Sequence, residues 1–264
     1  MTLIRTLRLH AAMLLLAVLA PPLGASPIPS IDCYRCHEKT VHAAEYRESA
    51  HRDLACTACH QIQAMITAGT TGNKSCVASY LKMDCTRCHK QEAAEFQKSV
   101  HNSPRLPMEC SRCHTNIHQL KSKKGDKLAA AQVCASCHKR QNDYFDSVHY
   151  QMLKKGRKDP PTCTDCHNRH AIAKVDNDAK GRDFHTRVCL KCHDDKPMMQ
   201  RNNVTPIASD TFFDGFHGKN VRLQFPERVA GCADCHGSHA VRKADDPKSS
   251  VNPAGLVKAC RQCH

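Results

Sequence analysis

Apolar residues run together only once in this chain, from Ala11 to Ala20. Arg5 and Arg8 precede the run, and Pro21, Pro22 and small residues as far as Ala25 follow it. That order predicts a secretory signal peptide over 1–25, and the run is shorter than the roughly 20 residues a membrane-spanning helix needs. Elsewhere the pattern is fragmentary. Helical spacing appears from Ala43 to Ser49, Gln91 to Ser99 and Gln141 to Ser147, broken by Pro, Gly, Asn and Asp. The expected fold over 26–264 is mostly α with extensive irregular loops. No Trp and only 7 Phe and 5 Tyr occur in 264 residues, so side chains alone supply no sizeable core.

A five-residue phrase, Cys-x-x-Cys-His, fills that gap. It places Cys33, Cys36 and His37; Cys56, Cys59 and His60; Cys85, Cys88 and His89; Cys110, Cys113 and His114; and Cys134, Cys137 and His138. It continues with Cys163, Cys166 and His167; Cys189, Cys192 and His193; Cys232, Cys235 and His236; and Cys260, Cys263 and His264. With 19 Cys and 19 His, random order would give about 0.1 such matches, so nine copies carry one chemistry. This is the attachment signature of c-type haem: two thiols one turn apart add across the vinyl groups of one porphyrin, and the adjacent imidazole binds the iron. Zinc knuckles give no reason for a His after every pair, and disulfides would staple distant segments. The expected cofactors are nine covalent haems c, wrapped by a chain that does not fold without them.

The motifs recur in pairs, from Cys33, Cys85, Cys134 and Cys189, with a partial repeat from Cys260. Between the two motifs of a pair stands an aromatic-to-His element: Tyr46 to His51, Phe96 to His101, Phe145 to His149 and, looser, Phe213 to His217. A trailing His follows the second motif at His118, His170 and His239. The first repeat lacks one and carries a polar insertion from Ala68 to Ser75 instead, while the third has a surplus His185. Setting aside the motif His and His10 leaves His42, His51, His101, His118, His149, His170, His185, His217 and His239. Nine spare imidazoles for nine irons predict six-coordinate, low-spin haems of low potential. Met65, Met83, Met108, Met152, Met198 and Met199 are then packing residues, and Cys76 is an unpaired thiol.

The formal charge of +14 changes meaning once haems are counted. Removing Arg5 and Arg8 and adding the propionates and ferric cores brings it to about +3 oxidised and about −6 reduced. Basic runs such as Lys154, Lys155, Arg157 and Lys158 are read as propionate partners or a solvated face, not a nucleic-acid footprint.

The recurring phrase, above all Cys232-Ala-Asp-Cys-His-Gly-Ser-His-Ala-Val and the Asp-Pro-Lys-Ser-Ser-Val after it, resembles the periplasmic multihaem c-type cytochromes of anaerobic respiration. These include carriers paired with quinol-oxidising membrane cytochromes b and decahaem proteins of outer-membrane conduits. The resemblance implies a periplasmic or secreted electron carrier between a membrane quinol-oxidising partner and a downstream or extracellular acceptor. It leaves two alternatives: an octahaem-type reductase of nitrite, hydroxylamine or tetrathionate with one open haem, or a subunit of a haem filament. No Cys-x-x-Cys-Lys of the enzyme type occurs. The partial fifth repeat gives the expectation that a C-terminal portion follows His264, against which the balanced His count stands.

Overall fold

The computed structural model describes residues 33, 34, 37–39, 41–60, 83–121, 126–176, 178–223 and 229–264. The signal segment, Cys36, Met65, the 68–75 insertion and Cys76 lie outside the described residues. The chain divides into two units, Met1–Ala43 with Asp53–Lys82, and Ala44–Arg52 with Met83–His264. In the first, the described residues hold the second motif on a 3-10 turn, Cys56–Ala58, and a bond of 2.7 Å from the Val41 N–H to the His37 carbonyl.

The second unit is assembled from short helices. In chain order they are α1 (Ala43–Arg47, whose first residue belongs to the other unit), α2 (Lys90–Phe96), α3 (Lys127–Ala135), α4 (Val148–Lys154) and α5 (Cys163–His167). There follow α6 (Ala179–His193), α7 (Lys196–Arg201), α8 (Ala208–Asp214), α9 (Phe216–Arg222), α10 (Cys232–His236) and α11 (Pro253–Cys260). A two-stranded antiparallel ribbon, β1 (Asn102–Ser103) with β2 (Leu106–Pro107), is the sheet structure among the described residues. The stretch Gln141–Ser147 forms a 3-10 helix, Lys139–Asp146, rather than the α-helix its spacing suggests.

Several helix starts have a local cause. The side chains of Asp126, Ser147, Asp178, Asp195 and Asn252 accept backbone N–H bonds at the first turns of α3, α4, α6, α7 and α11. Ahead of α5 the Thr162 N–H donates to Asp165, and ahead of α10 the Gly231 N–H donates to Asp234, 2.8 and 2.7 Å. The approach to α5 is pinned from three sides. Tyr144 donates its hydroxyl to the Pro161 carbonyl, Lys127 donates to the Pro160 carbonyl, and Arg201 grips Asp159 through two nitrogens at 2.7 and 2.9 Å. The Arg201 and Asn202 bonds hold the Asp159 carboxyl down at about 2.

What these elements enclose is not a hydrocarbon core. Ala131, Leu153 and Met199 are the buried apolar residues among those described, while Ser49, Ser99, Ser147, Thr162, Thr186, Asn202, Ser209 and Ser249 are buried polar ones. The space lies instead around the motifs. A cavity of about 1320 Å³, larger than the roughly 300–1,000 Å³ of a single small-ligand site, is lined by Cys134, Cys163, Cys166, Cys189, Cys192 and their histidines.

Candidate haem centres

Five of the motifs close by a short turn among the described residues. The His60, His89, His114, His138 and His264 N–H groups donate to the carbonyl of the first Cys of their own motif, at 2.9 to 3.0 Å. That closure sets the two thiols three residues apart on one side and the imidazole beside them. The second motifs of the third and fourth repeats, on α5 and α10, end on left-handed residues, Asn168 at φ 65° and Gly237 at φ 74°. The sharp exit turns the chain back so that His170 and His239 follow closely. Because ψ at Asn168 is 171°, the conformation suits Gly and strains any β-branched residue. We expect Asn168→Gly to leave the melting temperature of the holoprotein unchanged or raise it, and Asn168→Val to cost about 1–3 kcal/mol by thermal denaturation.

Six motif histidines each meet one histidine from outside the motifs. The pairs are His89 with His51, His138 with His101, His193 with His149 and His264 with His217, at ring-centre distances of 6.1, 5.8, 6.3 and 6.1 Å. His114 pairs with His170 at 6.4 Å and His167 with His239 at 6.2 Å. Two imidazoles on opposite sides of one metal, each with its nitrogen about 2 Å away and its ring centre about 1.1 Å further, have centres about 6.2 Å apart. Aromatic contacts at large fall in the same range. The discriminating feature is that every pair joins one motif His to one non-motif His. The residues present therefore fit iron held between two imidazoles.

Local bonds prepare these rings. Nδ1 of His170 lies 3.6 Å from Glu95 and Nδ1 of His239 lies 3.3 Å from the Ser238 hydroxyl, leaving Nε2 for a metal. The buried Nδ1 of His51 has no hydrogen-bond partner, an unmet group that protein interiors rarely tolerate. Burial, then the partner imidazole, lowers the pKa of His101, His149 and His167, and His149 falls to about 4. The neutral, ligating form is the one these surroundings favour.

The pairing crosses repeats in both directions. Each aromatic-to-His element reaches forward to the first motif of the next repeat, and each paired trailing His reaches back to the second motif of the repeat before. Backbone bonds lock the crossing: the Ala50, Val100 and Val148 N–H groups donate to the Leu120, Ile172 and Val241 carbonyls at 2.6, 2.9 and 2.8 Å. Every donor stands between a buried Ser and the paired His, and every acceptor stands two residues after a trailing His.

The thiols form a row in chain order. Cys113 is raised by burial and by the neighbouring Cys134 and Cys137. Cys134 and Cys163 act on one another, which raises the Cys134 thiol and lowers Cys163 to about 7. Burial, Asp165 and then Cys192 push Cys166 up to about 11. Cys189 stands to Cys232 as Cys134 does to Cys163, and Cys235 is raised by burial, Asp234, Cys260 and others. The fourth to ninth motifs thus adjoin one another in order.

Other sequence-predicted ligands are placed differently. His185 packs edge-on to Phe184 at 5.6 Å, feels Asp234 and His239 and acts on the motif His167, but makes no ring contact with a motif histidine among the described residues. His236 is exposed and acts on His193, but makes no ring contact with another imidazole among the described residues. His118 has its ring 6.3 Å from Tyr46. His42, His37 and His60 belong to the first unit, and His42 is exposed. The cross-repeat pairing escaped the sequence reading, although the constant Ser-x-His and His-x-aliphatic spacings were its visible trace.

No protein-family model matches the chain, and no solved structure does. Among curated proteins the chain is similar to the multiheme cytochrome MtrA of Shewanella baltica, 25% identical over 267 residues that cover 90% of this chain and 78% of the relative. It is also similar to the cytochrome c-type protein NrfB of Escherichia coli, 22% identical over 141 residues, 50% of this chain and 64% of the relative. The match thus spans less than two thirds of the second relative's length.

Proposed function

From its place among the multihaem c-type cytochromes, we propose that this chain is a periplasmic carrier that passes electrons along nine covalently held haems c in the order of its motifs. Haem c, when bound, supplies reversible one-electron exchange at an iron whose potential its ligands set. The chain's own residues do the rest. The eighteen motif cysteines would tether the groups, and the motif histidines together with His51, His101, His149, His170, His217 and His239 would ligate the irons. The six pairings of a motif with a non-motif imidazole, at ring-centre distances of 5.8 to 6.4 Å, carry the reading, and the motifs from Cys113 to Cys260 adjoin one another in chain order beside them.

Imidazole pairs keep the six irons closed to substrate and avoid the rise in potential that an axial Met brings. The partners proposed are a quinol-oxidising membrane cytochrome b or quinol dehydrogenase as donor and an outer-membrane or terminal acceptor beyond. Among the described residues no helix is long and apolar enough to cross a membrane. Intact mass of the mature protein, made with a haem-attachment system, is expected to show nine covalent haems. A homogeneous product with eight or fewer would contradict the use of every motif.

A further inference from the structure

The fourth and sixth motifs meet the same kind of partner in different surroundings. His170 faces His114 and His239 faces His167, each supplied by the following repeat. What stands behind the two supplied rings differs. Nδ1 of His239 meets the neutral hydroxyl of Ser238, whereas Nδ1 of His170 lies 3.6 Å from Oε2 of the Glu95 carboxylate.

That carboxylate is held in place by its own helix. Gln91, one turn earlier on α2, donates its Nε2 to Glu95 Oε1 at 3.1 Å, which leaves Oε2 for the ring. The bond from the Val100 N–H to the Ile172 carbonyl, 2.9 Å, ties the chain just after α2 to the segment that carries His170. The contact is particular to this repeat. Glu95 immediately precedes the aromatic residue of its aromatic-to-His element, and Glu45, Tyr144 and Phe212 stand at that place in the other repeats. Tyr144 donates its hydroxyl to the Pro161 carbonyl, and Glu45 accepts from Gln119, the residue after His118.

A carboxylate behind a metal-bound imidazole fixes which nitrogen carries the proton, raises the basicity of the ring and so favours the more positive state of the metal. A hydroxyl brings no charge. We infer that Glu95, oriented by Gln91, is a positioning residue for His170 that lowers the reduction potential of the haem at Cys110 and Cys113, an offset that the haem at Cys163 and Cys166 lacks. The inference rests on the axial pairing proposed above.

The test is a redox titration of the holoprotein followed by electron paramagnetic resonance, read at the low-spin ferric signal that His170→Ala converts to high spin. Glu95→Gln keeps the shape of the side chain and removes its charge. It is expected to raise that haem's potential by about a five- to ten-fold shift in the reduction equilibrium, or about 40–60 mV for one electron. The low end of such effects is chosen because the carboxylate is 41% exposed. The covalent haem count and the number of low-spin haems should stay the same, and Glu95→Ala should give the same rise. Glu92→Gln removes an equal charge from the same helix, at a side chain 3.8 Å from Nδ1 of His89, and should leave the His170 haem unmoved. An unchanged potential in Glu95→Gln and Glu95→Ala would overturn the inference. So would an equal shift in Glu92→Gln, since the charge of the helix rather than the contact with His170 would then be at work. Failure of the axial pairing itself reads out separately, as no new high-spin haem in His170→Ala.

Discussion

Made without haem attachment, the chain is expected to lose its fold entirely. Three buried apolar residues among those described cannot offset the roughly 1–2 kcal/mol of backbone entropy that each ordered residue costs. Nor do the helices hold themselves. Apart from α6 they run to nine residues or fewer, below the length at which isolated helices persist in water. Far-UV circular dichroism of protein expressed without the attachment machinery, its thiols kept reduced, should show loss of most helical signal and no cooperative thermal transition. The holoprotein should show both the signal and the transition. A cooperative melt in the haem-free chain would mean that side chains supply the core after all.

The second large effect concerns the iron ligands. His149→Ala removes the ring 6.3 Å from His193 and is expected to create one new high-spin haem that binds carbon monoxide when reduced. The covalent haem count should not change, because the thiols of that site, Cys189 and Cys192, belong to the following repeat. Loss of an imidazole donor weakens stabilisation of the ferric state, so that haem's potential should rise. His101→Ala and His239→Ala should each do the same at the sites of His138 and His167. The double variant of His101 and His149 should add two high-spin haems, since the two rings serve different irons. A spectrum unchanged from the parent would sink the pairing.

How much of this could be read in the sequence depends on whether a feature is local or crosses repeats. The Cys-x-x-Cys-His phrase is closed within five residues by one backbone bond, so its chemistry was plain before any fold was known. The helices near Ala43 and Gln91 follow from spacing alone. Gln141–Ser147 does not, because its stretch tightens to a 3-10 helix that delivers Ser147 as the cap of α4. The phrase itself sets the nine spare histidines apart from the motif ones, but counting them against nine irons suggests one each. The structure pairs six and leaves His185 against Phe184, since partner choice depends on which repeat packs on which. Crossing of that kind is invisible to composition. It shows only when the Ser-x-His and His-x-aliphatic phrases are seen to meet at Ala50, Val100 and Val148.

The same crossing bears on stability. A repeat whose irons are closed by its neighbours is not a unit that can stand alone, and each added repeat completes the one before it. Cutting between repeats should therefore open irons on both sides of the cut.

Protein-film voltammetry of the holoprotein tests the carrier role most directly. Reversible one-electron waves spread over a continuous low-potential window are expected, their summed charge matching the haem count from intact mass. No catalytic current is expected when nitrite, hydroxylamine or tetrathionate is added. A sustained, saturable catalytic current with any of the three would contradict that role and make the chain an enzyme.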